Sequence, residues 1–265
     1  MRVDCLDTGY VELVQHMGND DFICEAARVS TNSSSKDNKR LIDYLIRHRH
    51  TSPFEFVKFV FKVHIPIFID RQLVRHRMTN RNEVSGRYTE IKDEFFMPTT
   101  WRQQGGRNKQ CSGEAFDYSP SLLFDRKPKC SAEELAFEEY FSRLASGVSR
   151  ELARTCLPLS TYTTYYWGID LHNLLHFLKL RLHKDAQPEI IEYAKAFLTL
   201  ITPIVPLTVD SWRNHVLNAV TFSEDELEYL LIDEAALQDI HLQESRLHEF
   251  GEKTEYIKSG ISIDD

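Results

Sequence analysis

Between Phe56 and Ile65 the chain alternates apolar and polar residues: Val57, Phe59, Phe61, Val63 and Ile65 fall on one side, Lys58, Lys62 and His64 on the other. Successive side chains of a strand point to opposite faces, so this stretch reads as a strand with one buried side. That single feature asks for a sheet with helices packed on its apolar face. Pro66 fits the first turn of a helix. In that helix Ile67, Phe68, Leu73 and Val74 form a buried stripe, and Arg71, Gln72 and Arg75 lie near one another. The helix ends in Arg75-His76-Arg77-Met78-Thr79-Asn80-Arg81-Asn82-Glu83-Val84-Ser85-Gly86-Arg87-Tyr88, which carries four arginines and one histidine against one carboxylate. Asn80 to Gly86 lacks apolar periodicity and reads as an exposed loop, the usual place for a ligand.

The basic cluster runs against the charge of the chain, which is -8 overall. Arginine presents a rigid fork of donors that matches phosphate, so four in one segment point to a phosphate-bearing ligand. The acidic character belongs to the C-terminal end: residues 221–265 hold thirteen Asp and Glu against three Lys and Arg. A pI near 5.8 argues against general nucleic-acid binding. Apolar residues make up 42% of the chain, enough for a sizeable core. Cys5, Cys24, Cys111, Cys130 and Cys156 form no Cys-x-x-Cys pair, which fits a reducing compartment. No apolar run suits a signal peptide or a membrane span, so the expected setting is soluble and cytoplasmic.

Met1 to Val14 reads as one or two short strands. Asn19 or Asp20 can cap a helix through Phe22, Ala26 and Ala27, and Asp37 or Asn38 a helix carrying Leu41, Ile42, Leu45 and Ile46. Glu90 to Pro98 suits a strand or an irregular connection, and Trp101 to Lys129 a loop-rich insertion. Ser131-Ala132-Glu133-Glu134 is a capping box. Its helix would bury Leu135, Tyr140, Phe141, Leu144, Val148 and Leu152, with Arg150 and Arg154 pairing with Glu151 at the surface. Leu159 to Trp167 is rich in β-branched and aromatic residues and reads as a strand. Asp170 can cap a helix burying Leu171, Leu174, Leu175, Leu178 and Leu182. Gln187-Pro188 opens another helix, with Ile191, Ala194, Phe197, Leu198 and Ile201 facing inward. Ser223 to Glu226 is a second capping box.

Metal chemistry is weakly supported. His48 and His50 are two residues apart, a poor spacing for one helix face. His172 and His176 have zinc-pair spacing, but the glutamate of His-Glu-x-x-His is missing. Cys156, the one candidate thiol nucleophile, reads better as a small core residue.

The Arg75 to Tyr88 segment resembles the signature of the flavin-dependent thymidylate synthases. Four further stretches resemble the same family in the same order: Ala26 to Ser30; His50-Thr51-Ser52-Pro53-Phe54-Glu55; Arg150 to Leu159; and His176-Phe177-Leu178-Lys179-Leu180-Arg181. The resemblance covers roughly residues 1–218. It implies methylation of dUMP to dTMP, with 5,10-methylenetetrahydrofolate giving the methylene and NADPH the hydride by way of FAD. It also implies a homotetramer whose sites are shared between subunits. Matched to nucleotide positions are Gln72, Leu73, Val74, Arg75, Glu83, Val84, Ser85, Gly86, Arg87, Arg154 and Arg181. Matched to flavin positions are Ser52, Arg75, His76, Arg77, Glu83, Asp170, Leu171, His172 and His176, and His50 lies against the flavin and its partner ligand. Arg181 is the expected catalytic group, placed to stabilise charge at N3 and O2 of the pyrimidine. The chain departs from the family at Asp170-Leu171-His172, where an Asn-x-Arg-like triplet is commoner, and at Ser52, which replaces a threonine and keeps its hydroxyl.

The expected fold is α+β, a central twisted antiparallel sheet flanked by helices. Residues 1–218 would be the synthase domain, with the insertion at about 101–130, and 219–265 an acidic extension. Two rival readings are a phosphate-ligand-binding protein without turnover and a metal-dependent hydrolase built on His48, His50, His172 and His176.

Overall fold

The computed structural model describes residues 1–30, 37–106, 112–116, 131–231, 251 and 253–255, with backbone alone for 228–231. The expectations for residues 117–130, and for Cys111 and Cys130, lie outside the described residues. The chain divides into two units, Met1–Val209 and Asp210–Asp265.

The first unit is built on an antiparallel sheet. In chain order it comprises β1 (Arg2–Cys5), β2 (Gly9–Met17), α1 (Asp20–Val29), α2 (Asn38–Arg47), a 3-10 turn (Ser52–Phe56) and β3 (Lys58–Pro66). It continues through α3 (Ile67–Leu73), β4 (Thr79–Glu83), a hairpin of β5 (Trp101–Gln104) and β6 (Ser112–Phe116), α4 (Ala132–Ala145) and α5 (Arg150–Ala153). Then come β7 (Tyr162–Asp170), α6 (Leu171–Arg181), α7 (Pro188–Ile201) and α8 (Pro206–Trp212). The main sheet runs β1-β2-β3-β7-β4. The apolar face expected from Phe56 is buried, with Phe59, Phe61, Val63 and Ile65 fully covered. The alternation ends at His64, which was expected on the outer face and is buried too, stacked between the rings of Tyr10 and Tyr162. Phe61 meets Phe197 of α7 edge-on at 4.9 Å, and Trp167 of β7 lies 5.6 Å from Phe177 of α6. These aromatic contacts join the middle strands to the two helices that cover them.

Local chemistry fixes the element ends. Asn19 accepts from the Phe22 amide and caps α1, and Asp37 accepts from that of Arg40 and caps α2. The buried Asp20 carboxylate accepts from the amides of Leu207 and Thr208 and from the Thr208 hydroxyl, tying α1 to the start of α8. The capping box at Ser131 and Glu134 is made as expected.

Several boundaries differ from the sequence reading. Pro66 is the last residue of β3 and precedes the helix rather than entering it. Thr79–Glu83 is an edge strand, not a loop; it is polar because one long side pairs with β7 and the other does not. β7 runs Tyr162–Asp170, three residues later than read. The 101–129 stretch contains the β5-β6 hairpin. Glu90–Pro98 is irregular, with one isolated bridge from Phe95 to Thr161. The helix from Ser131 stops at Ala145, because Gly147 takes φ +82 and the Val148 amide turns back to the Arg143 carbonyl. Leu135, Phe141, Val148 and Leu152, expected in a core stripe, are exposed, while Phe137 and Tyr140 are buried. The break turns Val148 and Leu152 out of the register of α4, and within α4 the covered face runs through Phe137 and Tyr140 instead of Leu135 and Phe141. α7 buries more than one stripe: Ile190, Tyr193, Ala196 and Leu200 are covered as well.

The second unit contains a π-helical turn (Arg213–Leu217) and α9 (Glu224–Leu231). The Ser223 hydroxyl accepts from the Glu226 amide, and the Glu226 carboxylate accepts from the Ser223 amide. Lys253 pairs with Glu226 at 2.7 Å. Among the described residues no helix is long and apolar enough to cross a membrane.

Candidate active site

The signature residues are carried on α3, the turn after it, β4 and the loop beyond. Their contacts fall into separate groups, each reaching a different part of the chain.

The first group joins α3 to the end of α6. The Arg181 guanidinium donates from Nη2 to the Gln72 carbonyl at 3.3 Å, and its Nε is buried without a partner. Burial holds its pKa below the usual arginine value. Gln72 in turn donates from Nε2 to Gln187 Oε1 at 2.6 Å. His76 packs edge-on against Phe177 at 5.0 Å, with the His176 ring 6.1 Å away. Burial, then the charges of Arg181 and His176, push the His76 pKa down to about 4, so its ring is neutral at neutral pH. Its Nε2 is a buried polar atom with no protein partner. Native interiors rarely tolerate such atoms, and a ligand can complete them.

The second group is a closed structural network. Arg81 donates to both oxygens of Asp70, at 2.8 and 2.7 Å, and to Glu83 at 2.9 Å. Its guanidinium lies 3.6 Å over the Tyr165 ring. The other Glu83 oxygen accepts from the Thr163 hydroxyl at 2.5 Å. Burial, the largest single influence, would lower the pKa of Arg81, but Asp70, Tyr165 and Glu83 together outweigh it and raise the value. Glu83, expected to contact both nucleotide and flavin, accepts one bond within the chain on each oxygen and remains partly exposed.

The third group brings the loop after β4 to the segment around Arg154. A Cβ placed on Gly86 would lie 2.8 Å from Ile91 and 3.2 Å from Arg154 Cδ. Glycine lets the Ile91 side chain lie against the loop; a larger residue would require that side chain to shift. Ser85 accepts from the Arg87 amide at its hydroxyl and from the Tyr88 and Thr89 amides at its carbonyl, which turns the loop. Arg87 and Glu151 form an exposed pair at 3.4 Å, and Arg150 pairs with Glu90, so Glu151 does not serve Arg150 or Arg154 as the sequence suggested. Arg75, Arg77 and Arg154 are exposed and have no acidic partner within 4 Å among the described residues. Val84 is exposed, as is Val74, whereas Leu73 is buried in the core.

His50 and Ser52 line a cavity of about 820 Å³ with Arg28, Arg40, Tyr44 and Phe56. That volume lies within the range of about 300–1,000 Å³ for small-molecule pockets. The 3-10 turn bearing Ser52 packs on α1 and α6. Asp170 caps α6 by accepting from the Asn173 amide, Leu171 is buried, and His172 is half-buried. Among the described residues no three His, Cys, Asp or Glu side chains cluster as a metal site. Burial pushes the Cys24 thiol up to about 11 and Cys5 to about 12, so neither supplies a thiolate at neutral pH. Cys156 is half-buried, with Sγ directed at the carbonyls of Ala153 and Ala136.

Sequence reasoning assigned no role to Gln187 beyond opening a helix, and none to Asp70. Gln187 carries no signal of its own; Asp70, eleven residues before Arg81, could have been flagged as a buried acid in a helix that leads to arginines.

Residues 12–207 match the family described as thymidylate synthase complementing protein. The chain is 45% identical over 262 residues to the flavin-dependent thymidylate synthase of Thermus thermophilus, covering 96% of both chains. It is 42% identical over 265 residues to that of Treponema denticola, covering 97% of both. The fold is similar to the crystal structure of a UMP/dUMP methylase, PolB from Streptomyces cacaoi, bound with 5-Br dUMP; the TM-score is 0.70, at 35% identity, over 80% of this chain and 97% of that one. A family match across most of the chain and near-complete relatives at this identity have one meaning: the chain belongs to the flavin-dependent thymidylate synthase family.

Proposed function

We propose that the protein is an FAD-dependent thymidylate synthase that reductively methylates dUMP. Uracil C5 exchanges its proton for the methylene of 5,10-methylenetetrahydrofolate, and hydride from NADPH brings that carbon to the methyl level; with one proton taken up overall, the products are dTMP, tetrahydrofolate and NADP+. The observation that carries this reading, beside the family, is the state of Arg181. It is half-buried and aimed by a neutral carbonyl, and among the described residues no carboxylate lies within ion-pair distance to cancel its charge.

A guanidinium in that state stabilises negative charge at N3 and O2 of the pyrimidine as the N3 proton leaves, which makes C5 electron-rich. Arg75, Arg87 and Arg154 are the groups for the phosphate, with Ser85 and the Gly86 amide beside them. Gln72, Leu73, Val74, Glu83 and Val84 shape the remainder of the nucleotide site. Glu83 holds Arg81 and Thr163 through one bond on each oxygen and keeps acceptor capacity for a ligand on its exposed side. FAD, when bound, supplies the transfer of hydride from NADPH. The residues present suit it: His76 offers an orphaned buried nitrogen, and the cavity at His50 and Ser52 combines aromatic walls with basic side chains. Ser52, Arg75, His76, Arg77, Glu83, Asp170, Leu171, His172 and His176 would hold it. Neutral His76 is suited to hydrogen-bond without adding charge beside Arg181.

The separate groups of one chain become one site through neighbouring copies, in a homotetramer with shared sites. The setting is cytoplasmic, and residues 219–265 form an acidic extension to the catalytic part. The test is the visible spectrum of the purified protein with and without dUMP, followed by dTMP formation from dUMP, 5,10-methylenetetrahydrofolate and NADPH. Oxidised-flavin absorbance that shifts with dUMP, together with turnover, is expected. A colourless protein that binds dUMP but never FAD would make it a nucleotide-binding protein, and activity that needs added zinc would make it a hydrolase.

A further inference from the structure

We propose that Gln187 is a positioning residue of the nucleotide site, one that aims Arg181 by holding Gln72. This rests on the reading that Arg181 meets the pyrimidine ring.

Gln187 sits at the N-cap of α7, where a side chain would ordinarily bond to the helix's first amides. It does not: the N-cap makes no side-chain bond to its own helix. Its Oε1 instead accepts from Gln72 Nε2 at 2.6 Å, across 115 residues of sequence. Gln72 stands in the last turn of α3, where backbone carbonyls lack intrahelical partners. Its carbonyl is the acceptor that Arg181 uses, at 3.3 Å. One residue thus faces both ways: its side chain is fixed by Gln187, and its main chain fixes Arg181.

The place of Gln187 is itself anchored. Two residues further on, Glu189 is buried and accepts from Arg102 of β5 at 2.5 Å, which pins the first turn of α7 to the hairpin. Pro188 at the helix start restricts the backbone beside Gln187.

The chemistry explains why a main-chain carbonyl, held from behind by Gln187, meets Arg181 in place of a carboxylate. A carboxylate reaching the guanidinium directly would orient it but also neutralise it, as Asp70 does for Arg81. A chain of neutral groups sets direction while leaving the positive charge available to the ligand. The amide is also a better holder than a hydroxyl, because its acceptor stands on a planar group that restricts the approach of Gln72.

The experiment titrates the FAD-loaded protein with dUMP and with 2-deoxyribose 5-phosphate, which carries the phosphate but no ring. Gln187→Leu is expected to weaken dUMP binding about threefold to tenfold. It should leave deoxyribose 5-phosphate within about twofold. In an Arg181→Ala background the same change should add nothing, because the two act in series. Gln187→Glu, which keeps an acceptor for Gln72, should stay within about threefold of the parent for dUMP. Equal losses for both ligands, a full additive loss in the Arg181→Ala background, or a Glu variant as weak as the Leu variant would each overturn the inference. If Arg181→Ala itself leaves dUMP affinity unchanged, the reading of Arg181 falls. If that variant weakens dUMP binding and Gln187→Leu does not, only the role of Gln187 falls.

Discussion

Arg81 and Arg181 are both half-buried guanidiniums within the signature blocks, and the chain surrounds them in opposite ways. Arg81, on the edge strand β4, is gripped by two oxygens of Asp70, by Glu83 and by the face of Tyr165. Arg181, at the end of α6, has one main-chain carbonyl and, among the described residues, no carboxylate within ion-pair distance; the Nε of each arginine is buried without a partner. The first is neutralised and rigid, so its contribution is to the fold. The second keeps its charge in a partly desolvated place, which costs stability and suits a site for charge that develops elsewhere. The residue type alone separates neither role; what separates them is the presence of a carboxylate.

The sharpest break in that contrast would come from activity. Arg181→Ala should lower dTMP formation at least about a thousandfold, the scale of removing a preorganised charge-stabilising group, while shifting unfolding free energy by less than about 0.5 kcal/mol. Near-normal turnover would place Arg181 with Arg81 as structural. Asp70→Ala should do the reverse and cost about 3 kcal/mol in urea unfolding, because it removes the two bonds that hold the half-buried Arg81 and leaves Glu83 as its remaining carboxylate. A loss below about 1 kcal/mol would mean the pair contributes little, and the contrast would lose its structural half.

A subtler test uses His76, neighbour of Arg181. Its folded pKa is about 4 against an ordinary 6.5, so between those values the unfolded chain takes up a proton that the folded chain refuses. The stability this ring contributes is complete above pH 6.5 and is lost as the pH falls toward 4. His76→Phe should therefore lose less stability than the parent across that window, and parallel curves would show that the ring protonates in the fold. The smallest effect concerns the other end of the chain. Deleting residues 219–265 should leave turnover within about twofold and the oligomer intact by light scattering. Dissociation to monomers would make the acidic segment an interface element.

Much of this was legible in the residues, and the failures have physical causes. The alternation from Val57 to Ile65 located the middle of the sheet, because burial on one face writes itself into every second residue. Thr79–Glu83 gave no such signal: an edge strand with exposed side chains need not alternate, and its register comes from pairing with β7. Leu135, Phe141 and Leu152 look like a core stripe at helical spacing, yet α4 covers Phe137 and Tyr140 instead of Leu135 and Phe141, and the turn at Gly147 takes Leu152 out of its register. At the site, the arginines could be counted but not sorted, since Arg81 is set apart by Asp70 and Arg181 by the lack of any such neighbour among the described residues. Gln187 was read as a helix opener because its partner lies 115 residues away.

Gly86 leaves one more mark. Where its side chain would stand, Ile91 and the Arg154 stem already press close. The signature loop and the Arg154 segment thus close over a missing methyl group, and what meets the loop there is the ends of two side chains rather than backbone. Alanine would act as a small wedge that Ile91 must swing aside to admit. The seam is cushioned: its first answer to added bulk is a side-chain rotation, not a shift of main chain.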